Sequence, residues 1–364
     1  MLFDDCAPCL FRYDDHCGRW EVQLRALHKA NMQTRHLIPG AVLPILFLEP
    51  IRHDATRCQS RKGLPLPQTG RSSKPLKGVE KYKMKKFSYN ENIDAFEISE
   101  HFFLEGFKQA QKKDYRNIRI MRDNSFASST VLDLSPLAFS ESVETLSISQ
   151  DINLKKVDFS PLYTCTSLRA LTIAYLKDAL DFSKLTSLKT LYIMKAHDKI
   201  ENLRISNVSD LLLAGIKNKD LTFLLAPKLE TLRVSGGNLE SFEGLQTSKI
   251  LGDVEIGHCA KLIDISQLSE LTELKKLSIE KCKHVRDYSF LSGNNTLETF
   301  FASELDSLNF IPSLKKIQSV KFWEVKGGDL QPLLDSKTLK RVDFFPQKKN
   351  YTHTKEEINN LLQR

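Results

Sequence analysis

The stretch Ile263-Asp264-Ile265-Ser266-Gln267-Leu268-Ser269-Glu270-Leu271-Thr272-Glu273-Leu274-Lys275-Lys276-Leu277-Ser278-Ile279 holds two patterns end to end. In Leu274-x-x-Leu277-x-Ile279 the apolar residues alternate with variable ones, the period of two that a half-buried strand requires. In Ile263 to Leu268 an apolar-Asp-apolar-Ser-x-Leu segment reads as the return path that closes a coil. Outward from this stretch the strand phrase recurs as Tyr115/Ile118/Ile120, Val143/Leu146/Ile148, Leu168/Leu171/Ile173, Leu188/Leu191/Ile193, Val208/Leu211/Leu213 and Leu229/Leu232/Val234. It continues through Leu251/Val254/Ile256, Leu297/Phe300/Ala302, Ile317/Val320/Phe322 and Leu339/Val342/Phe344. Successive starts lie 20 to 28 residues apart, mostly 20 to 23. The return segment recurs at Val157 to Leu162 and Leu180 to Leu185, and more loosely at Val285 to Leu291.

A short phrase at this period cannot bury its apolar face alone, and stacking copies in parallel buries one continuous core. The sequence therefore predicts an α/β solenoid with a parallel β-sheet on the concave face. Twenty-odd residues leave little room for a full helix on the return path, so we expect turns, extended pieces and short 3₁₀ segments on the convex face, with modest curvature. Residues 115 to 346 resemble leucine-rich-repeat proteins, and the 22-residue coils resemble the short-coil bacterial internalin type. That resemblance implies a protein-interaction scaffold. It also implies a buried Asn or Cys ladder three residues past the last strand position; Cys259 and Cys282 occupy that place, Asp123 and Asp151 are polar substitutes, and Ala196, Ile216, Leu305 and Val325 depart from it. We expect Cys259 and Cys282 to be buried ladder residues and His258 to point outward.

A solenoid exposes its core at both ends unless capped. Residues 84 to 114 read as an N-terminal cap: Ile93/Phe96/Ile98 repeats the strand phrase, and His101 to Lys113 reads as a helix carrying Phe103, Leu104 and Phe107. Residues 347 to 364 read as a C-terminal capping helix that opens on the capping box Thr354-Lys355-Glu356-Glu357, with Ile358, Leu361 and Leu362 on one face.

Composition changes at about residue 84. Residues 1 to 83 hold 14 Lys+Arg against 8 Asp+Glu, four of the seven cysteines and seven of the thirteen prolines; residues 84 to 364 hold 39 basic against 37 acidic residues. The excess of +8 thus does not belong to the repeats, and no broad basic surface points to nucleic acid. We expect residues 1 to 83 to be a disordered or non-native upstream extension, with Met84-Lys85-Lys86 as an ordinary start. Cys6, Cys9, His16 and Cys17 are zinc-ligand types, but their spacing fits no zinc ribbon. No apolar run reaches the roughly 20 residues of a membrane span, so we expect a cytoplasmic monomer with no membrane or nucleic-acid partner.

None of the phosphate-loop, zincin or nucleophile-elbow motifs occurs. We therefore expect no enzyme, no cofactor and no metal, and a protein partner bound on the concave face. Down the middle of that face should run Arg119, Ser147, Thr172, Tyr192, Leu212, Arg233, Glu255, Ser278, Phe301, Lys321 and Asp343, with Met121, Met194, Trp323 and Phe345 in the next row. Large apolar residues and Arg, Tyr and Trp on such a face mark contact points. Two candidate groups follow: Tyr175, Tyr192, Met194, Lys195 and Arg233; and Phe301, Lys321, Trp323 and Phe345. A narrower expectation is a bacterial immunity protein that occludes a cognate toxin. An internalin-like adhesin or effector would need an export signal and an anchor.

Overall fold

The computed structural model describes Phe11–Asp14, Arg19–Val22 and residues 86–123, 131–138 and 140–363. The expectation for residues 1 to 83, and the cysteines and histidine weighed there for zinc, fall outside these apart from strands β1 (Phe11–Asp14) and β2 (Arg19–Val22), which pair antiparallel. The chain divides into two compact units, residues 1–76 and 77–364. The second holds the repeats.

Its thirteen-stranded sheet begins with β3 (Phe87–Asn90), β4 (Ala95–Ser99), β5 (Asn117–Met121), β6 (Thr145–Ile148), β7 (Ala170–Tyr175) and β8 (Thr190–Ala196). After a two-residue convex strand β9 (Leu203–Arg204) it gains β10 (Asp210–Ala214), and after a second, β11 (Leu224–Leu225), it gains β12 (Thr231–Ser235). It ends with β13 (Asp253–Gly257), β14 (Lys276–Glu280), β15 (Thr299–Leu305), β16 (Ser319–Val325) and β17 (Arg341–Phe344). Only β3 and β4 pair antiparallel; every later neighbour is parallel. This is a leucine-rich-repeat solenoid.

The second apolar position of the phrase forms one unbroken row across twelve strands: Phe96, Ile118, Leu146, Leu171, Leu191, Leu211, Leu232, Val254, Leu277, Phe300, Val320 and Val342. None is more than 5% exposed. A slip of one residue would turn this row to the opposite face, so burial itself holds the register.

The convex path turns on a small device. Asp158, Asp181, Asp264 and Asp287 each accept the backbone N–H of the serine two residues on, at 2.9, 3.1, 2.9 and 2.9 Å. Asp133–Ser135, Asp220–Thr222 and Asp329–Gln331 repeat it at 2.9, 3.1 and 3.0 Å. Such a bond turns the chain locally and satisfies an N–H that the opening of a 3₁₀ turn leaves free. The residue before the aspartate varies: Val157 and Leu132 are buried at 8% and 3%, whereas Ile263 is 67% exposed and Leu262 and Ile265 fill the interior.

The ladder is mixed. Cys259, Cys282 and Asp123 are buried as expected, but Asp151 is exposed and its neighbour Ile152 is buried instead. Ala196, Ile216, Leu305 and Val325 take the ladder position as apolar core residues. Other side chains then satisfy the backbone between coils. Ser303 Oγ accepts from Lys281 N–H at 2.8 Å, Asn218 bonds both N–H and carbonyl of Ile200 at 2.9 and 2.8 Å, and Tyr351 OH accepts from Val325 N–H at 3.1 Å. At Gly237 the coils approach so closely that a Cβ would lie 2.4 Å from the Ile216 carbonyl oxygen.

At the N-terminal end, helix α1 (Phe103–Lys112) buries Phe103, Phe107 and Ala110, whereas Ile93 and Leu104 stay exposed at 43% and 53%. After a single helical turn α2 (Gln331–Leu334), the chain ends in α3 (Lys355–Leu362). There the capping box forms: Thr354 Oγ1 accepts from Glu357 N–H at 3.2 Å, and Glu357 Oε2 accepts from Thr354 N–H at 2.7 Å. From α3, Asn359 accepts from Val342 N–H at 2.9 Å and donates to its carbonyl at 2.8 Å. One amide thus occupies backbone groups that the last strand would otherwise leave unpaired.

Candidate protein-binding face

The alternation that buries Leu277 and Ile279 turns Ser278 to the other side, and the register carries this across the sheet. Glu97, Arg119, Ser147, Thr172, Tyr192, Leu212, Arg233, Glu255, Ser278, Phe301, Lys321 and Asp343 are successive cross-strand partners. The middle row expected from the repeat is a physical row, with Glu97 added at its start.

The first candidate group does not assemble as a surface. Tyr175 lies four residues after Leu171, so the period of two turns it inward, and it joins the core at 8% exposure. A bulge opposite Ile173 and Ala174 inserts Met194 between Ile193, which pairs with Ile173, and Lys195, which pairs with Ala174. Met194 is consequently half-buried and Lys195 exposed. Tyr192 and Arg233 do meet. The Arg233 guanidinium lies 5.8 Å from the Tyr192 ring centroid, donates to its hydroxyl at 3.1 Å and donates to Asp210 at 3.0 Å; Tyr192 OH donates to the other Asp210 oxygen at 2.9 Å. Glu255 takes a second Arg233 nitrogen at 3.5 Å and also pairs with Lys276, which reaches Asp253 at 3.3 Å.

These groups perturb one another. Burial, then the Asp210 charge, pushes the Tyr192 hydroxyl above its ordinary range. Burial also pushes the Asp253 carboxyl up, against the pull of Lys276. Burial works against the Arg233 charge, but Asp210 and Tyr192 outweigh it and hold the guanidinium protonated. Tyr192 and Arg233 therefore spend their hydrogen-bonding capacity on their own sheet.

The second candidate group is different. Phe301 and Trp323 meet edge-on, ring centroids 5.6 Å apart and planes at 69°, and both are half-buried. Phe345, just past β17, is 77% exposed. Lys321 and Lys355 both reach Asp343 at 3.3 Å, and although burial raises that carboxyl, the two ammonium groups bring it below the usual aspartate range. Underneath, the platform is rigid: Phe322 and Phe344 stack at 4.9 Å, and Tyr351 meets Phe344 edge-on at 5.4 Å.

Asp210, Asp253, Lys276 and Lys355 were absent from the sequence candidates. Three of them carried a usable signal. Glu97–Arg119, Asp210–Arg233, Arg233–Glu255, Asp253–Lys276 and Lys321–Asp343 are opposite charges 22 or 23 residues apart, one coil length, so stacking makes them neighbours. Lys355 comes from the terminal helix and obeys no such period.

Among the described residues no group of three or more His, Cys, Asp or Glu could hold a metal ion, and no helix is long and apolar enough to cross a membrane. No family model matches the chain, and no curated protein matches it. Among solved structures it is similar to an internalin (inlF) from Listeria monocytogenes, with 17% sequence identity and a TM-score of 0.38, over 65% of this chain and 70% of that one.

Proposed function

We propose that this protein is a non-enzymatic scaffold that binds a protein partner at the C-terminal end of its concave face. The observation that carries the proposal is the aromatic group there: Phe345 is 77% exposed beside the last strand, on the same end of the face as the edge-to-face pair Phe301–Trp323. Leaving large apolar surface in water loses the roughly 25 cal/mol per Å² that burial returns. A partner that covers it recovers this term, and a rigid sheet adds little ordering cost on binding. Lys321 and Asp343, each with solvent-facing surface, supply polar specificity at the edge of the patch.

Affinity capture from the source cell, with wild type and a Trp323→Ala/Phe345→Ala variant as baits, tests the site. Partners recovered equally by both baits would remove the aromatic group from consideration. A partner lost from the variant is then titrated against each single variant. The accompanying expectations, a monomer acting in the cytoplasm without nucleic acid, are checked by light scattering, cell fractionation and the absorbance ratio of the native preparation.

A further inference from the structure

We propose that Cys259 and Cys282 form a thiol pair that a peroxide oxidises to a disulfide joining two neighbouring coils. Both follow the last apolar strand residue by three positions, after Ile256 and Ile279, and those two isoleucines are cross-strand partners, as are Gly257 and Glu280. The residues before the cysteines, His258 and Lys281, share a left-handed conformation with φ of 57° and 52°. The two coils therefore leave the sheet along the same path, which keeps the two Cα atoms near the parallel-strand spacing of about 4.8 Å. Disulfides span Cα separations of roughly 4.4 to 6.8 Å. Both thiols are free and buried, at 1% and 3% exposure.

Their surroundings distinguish the two sulfurs. Interaction between the two thiols moves Cys282 below the ordinary thiol range and Cys259 far above it. Backbone carbonyls of Gly236 and Gly257 lie 3.6 and 3.4 Å from the Cys259 sulfur, and that of Glu280 lies 3.4 Å from the Cys282 sulfur. Two carbonyl acceptors hold the proton on Cys259 and one holds it on Cys282, so Cys282 is the member that gives up its proton first. The Cys282 thiolate attacks one oxygen of hydrogen peroxide; the O–O bond breaks, hydroxide leaves and takes a proton to become water, and Cys282 carries a sulfenic acid. Cys259 then gives up its proton and attacks the Cys282 sulfur, the S–O bond breaks, and a second water departs. Two thiols and one peroxide become one disulfide and two waters. Burial makes a small oxidant and a local opening of the coils part of the process.

Cys165 is the internal control. It is also buried, at 5% exposure, its thiol donates to the carbonyls of Leu137 and Pro161 at 3.1 and 3.4 Å, and burial pushes it up to about 11.

The full chain is treated with hydrogen peroxide, alkylated and mapped by peptide mass spectrometry. The expected result is a Cys259–Cys282 linked peptide pair with Cys165 alkylated. In Cys259→Ser, the linked pair disappears and Cys282 accumulates as a dimedone-trapped sulfenic acid, at least tenfold above Cys259 in Cys282→Ser. Recovery of both thiols alkylated in peroxide-treated wild type would overturn the proposal. So would over-oxidation of either without a linked pair, a link from either to Cys6, Cys9, Cys17 or Cys58, or the reverse order of trapping in the two variants.

Discussion

The concave face carries two groups of conspicuous side chains, and they behave in opposite ways. Around Arg233, hydrogen bonds and ion pairs run from Tyr192 through Asp210 and Arg233 to Glu255, Lys276 and Asp253, so each charge has a partner on a neighbouring strand. Around Trp323, the rings of Phe301 and Trp323 meet only edge-on and Phe345 is 77% exposed. Arg and Tyr are as typical of interface hot spots as Trp. Residue type alone therefore does not separate the two groups. What separates them is whether the surrounding coils already use the side chain's bonding capacity and cover its apolar surface.

Changes in neighbouring side chains can break or sharpen this contrast. The largest effect belongs to the core beneath the aromatic end: Phe322→Ala removes a fully buried ring stacked on Phe344 and should cost about 3 to 5 kcal/mol of stability, read from denaturant midpoints. One residue away, Trp323→Ala combined with Phe345→Ala should weaken partner binding by at least ~30-fold, equivalent to ~2 kcal/mol. Its denaturation midpoint should stay close to wild type. A large loss of stability in that double variant would show that the rings serve the fold, and the contrast would collapse.

Arg233→Met should do the reverse. It leaves Asp210 and Tyr192 short of a partner at a half-buried site, so stability should fall by about 1 to 3 kcal/mol. Binding at the C-terminal end should not change by more than about twofold, well under the factor of ten that about 1.4 kcal/mol represents. Tight coupling of Arg233→Met to partner affinity, measured by titration calorimetry, would put the central network into the interface.

A smaller effect is expected at the end of the array, where Thr354→Ala removes the hydroxyl that accepts from Glu357 N–H. About 0.5 to 2 kcal/mol of stability should be lost, with the C-terminal amides exchanging faster than those of β13 and β14.

The carboxylates offer the subtlest comparison. Asp343 titrates below its ordinary value of 3.8 because Lys355 and Lys321 outweigh its burial, whereas burial holds Asp253 above 3.8. For Asp343 the folded pKa is the lower one, so its contribution is present above the unfolded value and is lost as pH falls through the folded value. For Asp253 the sign reverses: protonation relieves a charge that folding has desolvated, so acidification favours the folded state through this group. Carboxyl NMR titration should show Asp253 taking up its proton at a higher pH than Asp343. The opposite order would contradict the contrast between a desolvated centre and a paired, open end.

Much of this was legible in the residues. Apolar spacing located eleven strands, and their alternation predicted the outward row from Arg119 to Asp343 without a break. Asp-x-Ser marked the return turns, since an aspartate two residues before a serine can hold that serine's N–H wherever the coil must bend. Errors came where the period was read loosely or broken. Tyr175 belongs inside by its spacing from Leu171, and Ile152 takes the buried place expected of Asp151. No sequence period announces the extra residue at Met194.

By itself the sequence determined the coil, the register and the inward and outward faces, because these rest on residue spacing and on burial that a one-residue slip would reverse. It also contained the cross-coil charge pairs, written as opposite charges one repeat apart. The tertiary structure decided which outward residues are occupied and which are open. That depends on where the bulge at Met194 falls, on Asp210 lying beside both Tyr192 and Arg233, and on Lys355 arriving from the terminal helix to share Asp343. Those contacts join residues on different coils and at the chain end, at angles no linear period encodes.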